Sequence, residues 1–265
     1  MKKGNGSIAS FASSKQESFP EATDRAAAVF GREFLAANDI CETYGDEISA
    51  EVVAKVARGA QGFLVGEVAA MPGDPRLPAV ACHEGCAWCC SALPVSAWPL
   101  EVFAIAAWLQ DHLSPGQLGA AQGRLREAVE ERGRERTAPG QAARVPCPLL
   151  EGTRCSVYPV RPASCVGWTS VDAAPCEAYA RGDDAAKCQV DAMRMFSARA
   201  VPLAAATVLM NRGGPSFDQN GGGPGGFVDL SRGLLAVLEQ GPEEAMAKWL
   251  AGELFAGRGS GAVSP

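Results

Sequence analysis

What most restricts this chain is where its cysteines fall. Eight of the ten lie in two blocks: CHEGCAWCC at residues 82–90, with Cys82, Cys86, Cys89 and Cys90, and a wider set of Cys147, Cys155, Cys165 and Cys176. Thiolates two to four residues apart can wrap one metal through a single local turn, as zinc knuckles and iron–sulfur loops do. At 265 residues the chain can bury a hydrophobic core without covalent staples. Its first residues, MKKGNGSIASFASSKQ, carry two lysines but no continuous apolar stretch behind them, so no secretory signal is expected. The expected location is therefore the reducing cytoplasm, where thiols serve more naturally as ligands than as disulfides. Only His83 and His112 could add imidazole, which makes the expected site sulfur-dominated.

Outside the cysteines the pattern predicts a mainly α fold, a helical domain with an irregular cysteine-rich metal-binding region between helices. Residues 1–19 have little to bury and are expected to be disordered. Residues 20–78 read as an N-terminal helical segment. Ala26, Val29, Phe30 and Leu35 mark one apolar stripe, and Val52, Val53, Val56, Phe63 and Leu64 a second, with a break at Gly45-Asp46. The cysteine-cluster domain is expected over 79–210. Within it, Leu100 to Leu113 is apolar on nearly every face, as a buried helix would be. Ser114, Pro115 and Gln117 then supply a cap, a first-turn proline and a capping box for the next helix. The short connection predicts antiparallel neighbours that return Cys147 to Cys90. The second block reads as coil, followed by a helix from about Ala185, capped by Asp183 or Asp184 and bent or ended at Pro202. A flexible Gly-rich linker at 211–227, two helices within 228–256 and a disordered tail at 257–265 complete the expectation.

A net charge of −6 argues against a nucleic-acid partner. The one Arg-rich stretch, Arg124 to Arg136, is interleaved with Glu127, Glu130, Glu131 and Glu135 and reads as a solvated helix face. The longest apolar run, Val201 to Met210, is well short of the ~20 residues that span a bilayer, so no membrane partner is expected. The expected partner is a metal ion; a protein partner is left unknown, with the terminal helices as the surface a scaffold would use.

Individual residues divide by context. Cys41 reads as a small core residue, and Cys188 is balanced between core residue and late ligand. His83 reads as an exposed loop side chain, whereas Trp88 and Tyr158 are placed to pack over the site. Arg161 could offset thiolate charge and donate to sulfur. Cys89 and Cys90 are not expected to share one mononuclear zinc, because adjacent side chains diverge while two sulfurs on one zinc must approach to about 3.8 Å.

The run of Cys82, Cys86, Cys89 and Cys90, then CPLL, CSVYPVRPASC and Cys176, resembles the cysteine-cluster family, described as a zinc- or iron-chelating domain and often called YkgJ-like. The likeness covers roughly residues 80 to 180. It implies eight cluster positions: Cys82, Cys86, Cys89, Cys90, Cys147, Cys155, Cys165 and Cys176. Two departures stand out. The first cysteine spacing has three residues where some relatives have two, and Val166 follows Cys165 where arginine is common. A similar domain occurs in flagellin lysine methylases.

All-thiolate sites suit zinc, iron–sulfur or Cu(I) and exclude Mg and Ca. One structural zinc needs four ligands and strands four cysteines; two zinc sites, or one multi-iron cluster plus further thiolates, fit the count better. Iron or an iron–sulfur cluster is favoured, with zinc as the alternative. Two other classes stand beside a plain metal-binding protein: a cluster-dependent enzyme, such as an S-adenosylmethionine-dependent methyl transferase, and a non-catalytic carrier or interaction scaffold. Cys82, Cys86 and Cys89 have the spacing of radical S-adenosylmethionine enzymes, but those mount it after a strand of a β/α barrel, and strand alternation is missing here. The sequence alone does not decide between catalysis and carriage.

Overall fold

The computed structural model describes residues 19–45, 48–71, 77–83, 85–135, 144–186, 188–218 and 222–253. The expected disorder at 1–19 and 257–265 falls almost wholly outside them. The fold is mainly α. Two long amphipathic helices, α1 (Phe19–Tyr44) and α2 (Ala50–Ala70), are followed by β1 (Ser96–Ala97), α3 (Pro99–His112) and α4 (Pro115–Glu135). Next come a tight hairpin of β2 (Leu150–Glu151) and β3 (Arg154–Cys155), then α5 (Ala163–Gly167), α6 (Ala174–Ala180) and α7 (Ala192–Asn211). The chain closes with β4 (Val228–Asp229), α8 (Leu230–Gln240) and α9 (Pro242–Leu250). β1 pairs antiparallel with β4, matching Ser96 to Asp229 and Ala97 to Val228.

Apolar stripes on α1, α2 and α3 meet around α7, which lies along α1 and also touches α2 and α5. Val29, Val53, Leu64, Ile105, Leu109 and Leu209 belong to this core, with Cys41 fully buried among them. One polar group is sealed in with them. Glu33 of α1 is 1% exposed and its Oε2 has no hydrogen-bond partner. Burial pushes its carboxyl up to about 8.

Several expectations are revised. The Ser114–Gln117 capping box forms, with Ser114 N donating to Gln117 Oε1 at 2.9 Å and Gln117 N to Ser114 Oγ at 3.4 Å. Yet α3 and α4 do not pack on each other as the hairpin reading required; α8 lies against both. On α4, Arg126, Glu127, Glu130 and Glu131 are exposed as a solvated face would be, but Arg124 and Arg132 reach in to clamp other segments. Arg124 Nε donates to Pro148 O at 2.9 Å, Arg126 pairs with Glu239 at 2.5 Å, and Arg132 donates to Ser231 Oγ at 2.8 Å and Val145 O at 3.3 Å. The helix expected from Ala185 starts at Ala192, because Asp191 is its cap: Asp191 Oδ1 accepts from Arg194 N at 2.7 Å. The preceding residues are held extended instead, with Val190 bridged to Ser170. Helix α7 also runs through Pro202 rather than ending there. The second cysteine block is not coil throughout, since Cys165 lies in α5 and Cys176 in α6, each helix entered next to a proline. The described parts of the Gly-rich stretch are packed: Phe217 and Phe227 both lie on Trp98, and Trp249 Nε1 donates to Pro224 O at 3.0 Å.

Candidate metal centre

The first block is a loop followed by one helical turn. Ala81 N donates to Ser170 O at 2.8 Å, and Ser170 N donates to Cys82 Sγ at 3.2 Å, which pins the first cysteine. Gly85, at φ +87°, reverses the chain between Cys82 and Cys86, a conformation that L side chains rarely adopt. From Ala87 the backbone turns helically, with Ser91 N on Ala87 O and Leu93 N on Cys89 O, both at 2.9 Å. Cys147 N then donates to Cys90 O at 2.7 Å, joining the two blocks directly.

The second block is positioned by longer-range contacts. Arg124 and Arg132 hold the segment on either side of Cys147 through Pro148 O and Val145 O. Glu101 of α3 accepts from Trp98 N at 2.9 Å and from Ala163 N at 2.6 Å, so one buried carboxyl caps α3 and anchors the start of α5, the helix that carries Cys165. Burial raises that carboxyl to about 7, with the two backbone donors acting the other way. Gly167 lets α5 approach α7 closely: a Cβ there would lie 2.9 Å from Met195 Cα and 3.1 Å from Ala198 Cβ.

These elements enclose a cavity of about 1020 Å³. Cys82, Cys86, Cys89, Cys90, Cys147, Cys155 and Cys165 all line it; Cys176 does not. Cys176 interacts electrostatically with Cys82 and hydrogen-bonds through its side chain to Cys188. Cys188 is brought there by the extended segment before α7, where Asp191 N donates to Thr169 O at 3.0 Å. Cys41 lies apart, in the core. His83 is exposed and lines the cavity. Tyr158 lines it as well, with the Arg161 guanidinium 3.7 Å from its ring centroid. Trp88 is not on the wall; its ring carries Arg181 at 5.6 Å. Missed from the sequence were Arg194 and Arg199, which reach the cavity from α7. Both fall inside the expected helix, but nothing in the sequence shows which face of it meets the cysteine blocks.

The thiols sit in a low-dielectric setting. Burial pushes those of Cys82, Cys147, Cys155 and Cys165 up, Cys165 furthest. The side chains of Cys89 and Cys90 hydrogen-bond to each other. That bond lowers Cys89 to about 7, with Arg161 assisting, and raises Cys90, which keeps the proton. Burial, then Cys176, raises Cys188 to about 12. Arg161 acts on Cys89, Cys155 and Cys165, the charge-offsetting position expected of it.

The donor set fits a soft or borderline metal, since sulfur dominates it and a guanidinium stands beside the thiols. Among the described residues, however, no group of three or more His, Cys, Asp or Glu side chains is arranged to hold an ion. The thiols surround a space without closing on a point. Among the described residues no tetrahedral set forms around Cys89 and Cys90. Protonated thiols must release protons as a metal enters, so loading and closing would go together.

Among the described residues no helix is long and apolar enough to cross a membrane. Set against known proteins, the chain matches no family model, no curated protein and no solved structure. The YkgJ-like resemblance therefore stands on its motif residues.

Proposed function

We propose that the chain is a cysteine-ligated metal-binding protein, with iron or an iron–sulfur cluster favoured over zinc. The observation that carries this is the meeting of seven thiols from two distant sequence blocks around one cavity. Buried unpaired thiols can be accommodated singly as small hydrophobes. Gathering seven of them around shared space has no packing advantage and leaves a void that apolar side chains would fill better. The thiol count supports a multi-iron centre or two metal ions over one zinc, which would use only four. Cys89, whose thiol Cys90 lowers toward ionisation against the opposing effect of burial, is the natural first ligand.

Anaerobic purification followed by elemental analysis and an absorption spectrum tests the reading. The expected result is stoichiometric iron with broad visible absorption; stoichiometric zinc without colour would keep the thiolate centre and change its metal. Folded, anaerobically prepared protein containing neither metal overturns the proposal.

A further inference from the structure

The cavity is larger than its thiols require. A metal lies about 2.3 Å from each thiolate sulfur, so a cysteine-held centre fills only the space next to them. The whole cavity, about 1020 Å³, is at the top of the ~300–1,000 Å³ range of small-molecule pockets. Much of the remaining wall is apolar, including Leu77, Val80, Leu93 and Leu230.

Among the described residues, the charged groups on its wall other than the thiols are cations. Arg154, Arg161, Arg194 and Arg199 line the cavity, and no described Asp or Glu does. Three of these cations have evident roles. Arg161 lies over Tyr158 and acts on the thiols. Arg194 is paired with Asp191 at 3.1 Å. Arg154 stands opposite Glu151 in the β2–β3 ladder. Arg199, like Arg161, has a buried Nε without a hydrogen-bond partner, but among the described residues no ring, carboxylate or thiol is paired with it, and burial alone acts on its charge. A part-buried guanidinium with no counter-ion is costly, and its planar fork matches a carboxylate or phosphate.

We infer that the cavity binds, beside the metal centre, a small organic oxyanion whose carboxylate or phosphate sits on Arg199. The apolar wall would receive the carbon skeleton. This goes beyond metal binding, because it gives the site a second, organic ligand of stated charge.

The test uses the full chain, anaerobically prepared, with metal content measured on every sample. Succinate, inorganic phosphate and the neutral succinamide are each titrated by calorimetry and by thermal shift. The expected result is saturable binding of succinate or phosphate, none of succinamide, and at least tenfold weaker anion binding by Arg199→Gln. The preferred anion assigns the group as carboxylate or phosphate. Arg199→Lys, which keeps the charge but loses the fork, is expected to fall between, and covers the case in which Arg199→Gln does not fold. Arg58→Gln, at an exposed site on α2, should bind as the parent does. Absence of saturable binding of either anion, equal binding of succinamide, or unchanged binding by Arg199→Gln and Arg199→Lys overturns the inference. The metal content, read separately, distinguishes that failure from failure of the metal centre.

Discussion

The helical core and the cysteine cavity are built on opposite terms, although α7 serves both. In the core, Val53, Ile105 and Leu109 are fully buried and Cys41 is packed among such residues. Around the cavity, most of the cysteines keep partial exposure, and the walls come from turns fixed by single backbone hydrogen bonds and arginine clamps. A region held by packing resists any change in volume. One held by a few hydrogen bonds around open space can contract without disturbing the rest. The difference teaches that the fold does not need its thiols to converge in advance, and that a ligand can draw them together at modest cost.

The largest expected effect tests whether the cavity cysteines form a unit at all. Cys86→Ser and Cys165→Ser should each lose bound metal and melt at lower temperature, because metal-binding free energy is also folding free energy. Elemental analysis and calorimetry on the same samples check this. If either variant keeps full metal content, that cysteine is not a ligand.

Gly167→Ala probes the seam between the two regions. The added methyl meets Met195 Cα at 2.9 Å, a backbone atom that cannot swing away. A loss of about 1–3 kcal/mol, typical of overpacking, is expected in urea denaturation. Reduced metal content should accompany it, since α5 carries Cys165. A variant of parental stability would show that the α5–α7 contact yields easily.

Glu33→Gln tests the core through pH. The folded carboxyl titrates at about 8 and the unfolded one near 4.5. Between those values the folded chain holds a proton that the unfolded chain has lost, so stability falls as pH rises through that window. Glutamine removes this fall. The melting-temperature difference between variant and parent should therefore grow from pH 5 to pH 8. The raised Glu101 carboxyl contributes equally to both proteins and cancels. A constant difference across pH would mean that Glu33 is not buried as described.

The smallest effect is expected at Cys41→Ser, which should retain its metal and lose only some stability from a hydroxyl in an apolar site. Loss of metal here, with metal kept in Cys86→Ser, would reverse the distinction between the two regions.

The helical class was legible because apolar residues on α1 and α2 recur at helical spacing, and the start of α4 because Ser114 and Gln117 cap it locally. Of the eight cysteine positions that the family resemblance implies, seven line the cavity, and Cys176 lies off it beside Cys188. What escaped depended on partners far along the chain. Nothing near Asp191 marks it as a better cap than Asp183 or Asp184; the choice follows from the bridge between Val190 and Ser170. The inward reach of Arg124 and Arg132 was not legible because their acceptors, among them Pro148 O, Val145 O and Ser231 Oγ, come from other parts of the chain without a sequence signature. Arg199 lies in a helix that was expected, but its place on the cavity depends on α7 packing against α5, a contact far along the chain.

The bond from Cys147 N to Cys90 O also has a consequence in time. A chain emerging from a ribosome presents Cys82 through Cys90 first, and α3 and α4 must follow before Cys147 can reach them. During that interval four thiols stand on an unfinished wall, open to oxidation and to stray metal. Domains form as units during synthesis, and non-local contacts come late. If the cavity takes a metal as proposed, its cysteines would be complete only once α5 has emerged, and a chain halted before Cys147 would carry only the first block.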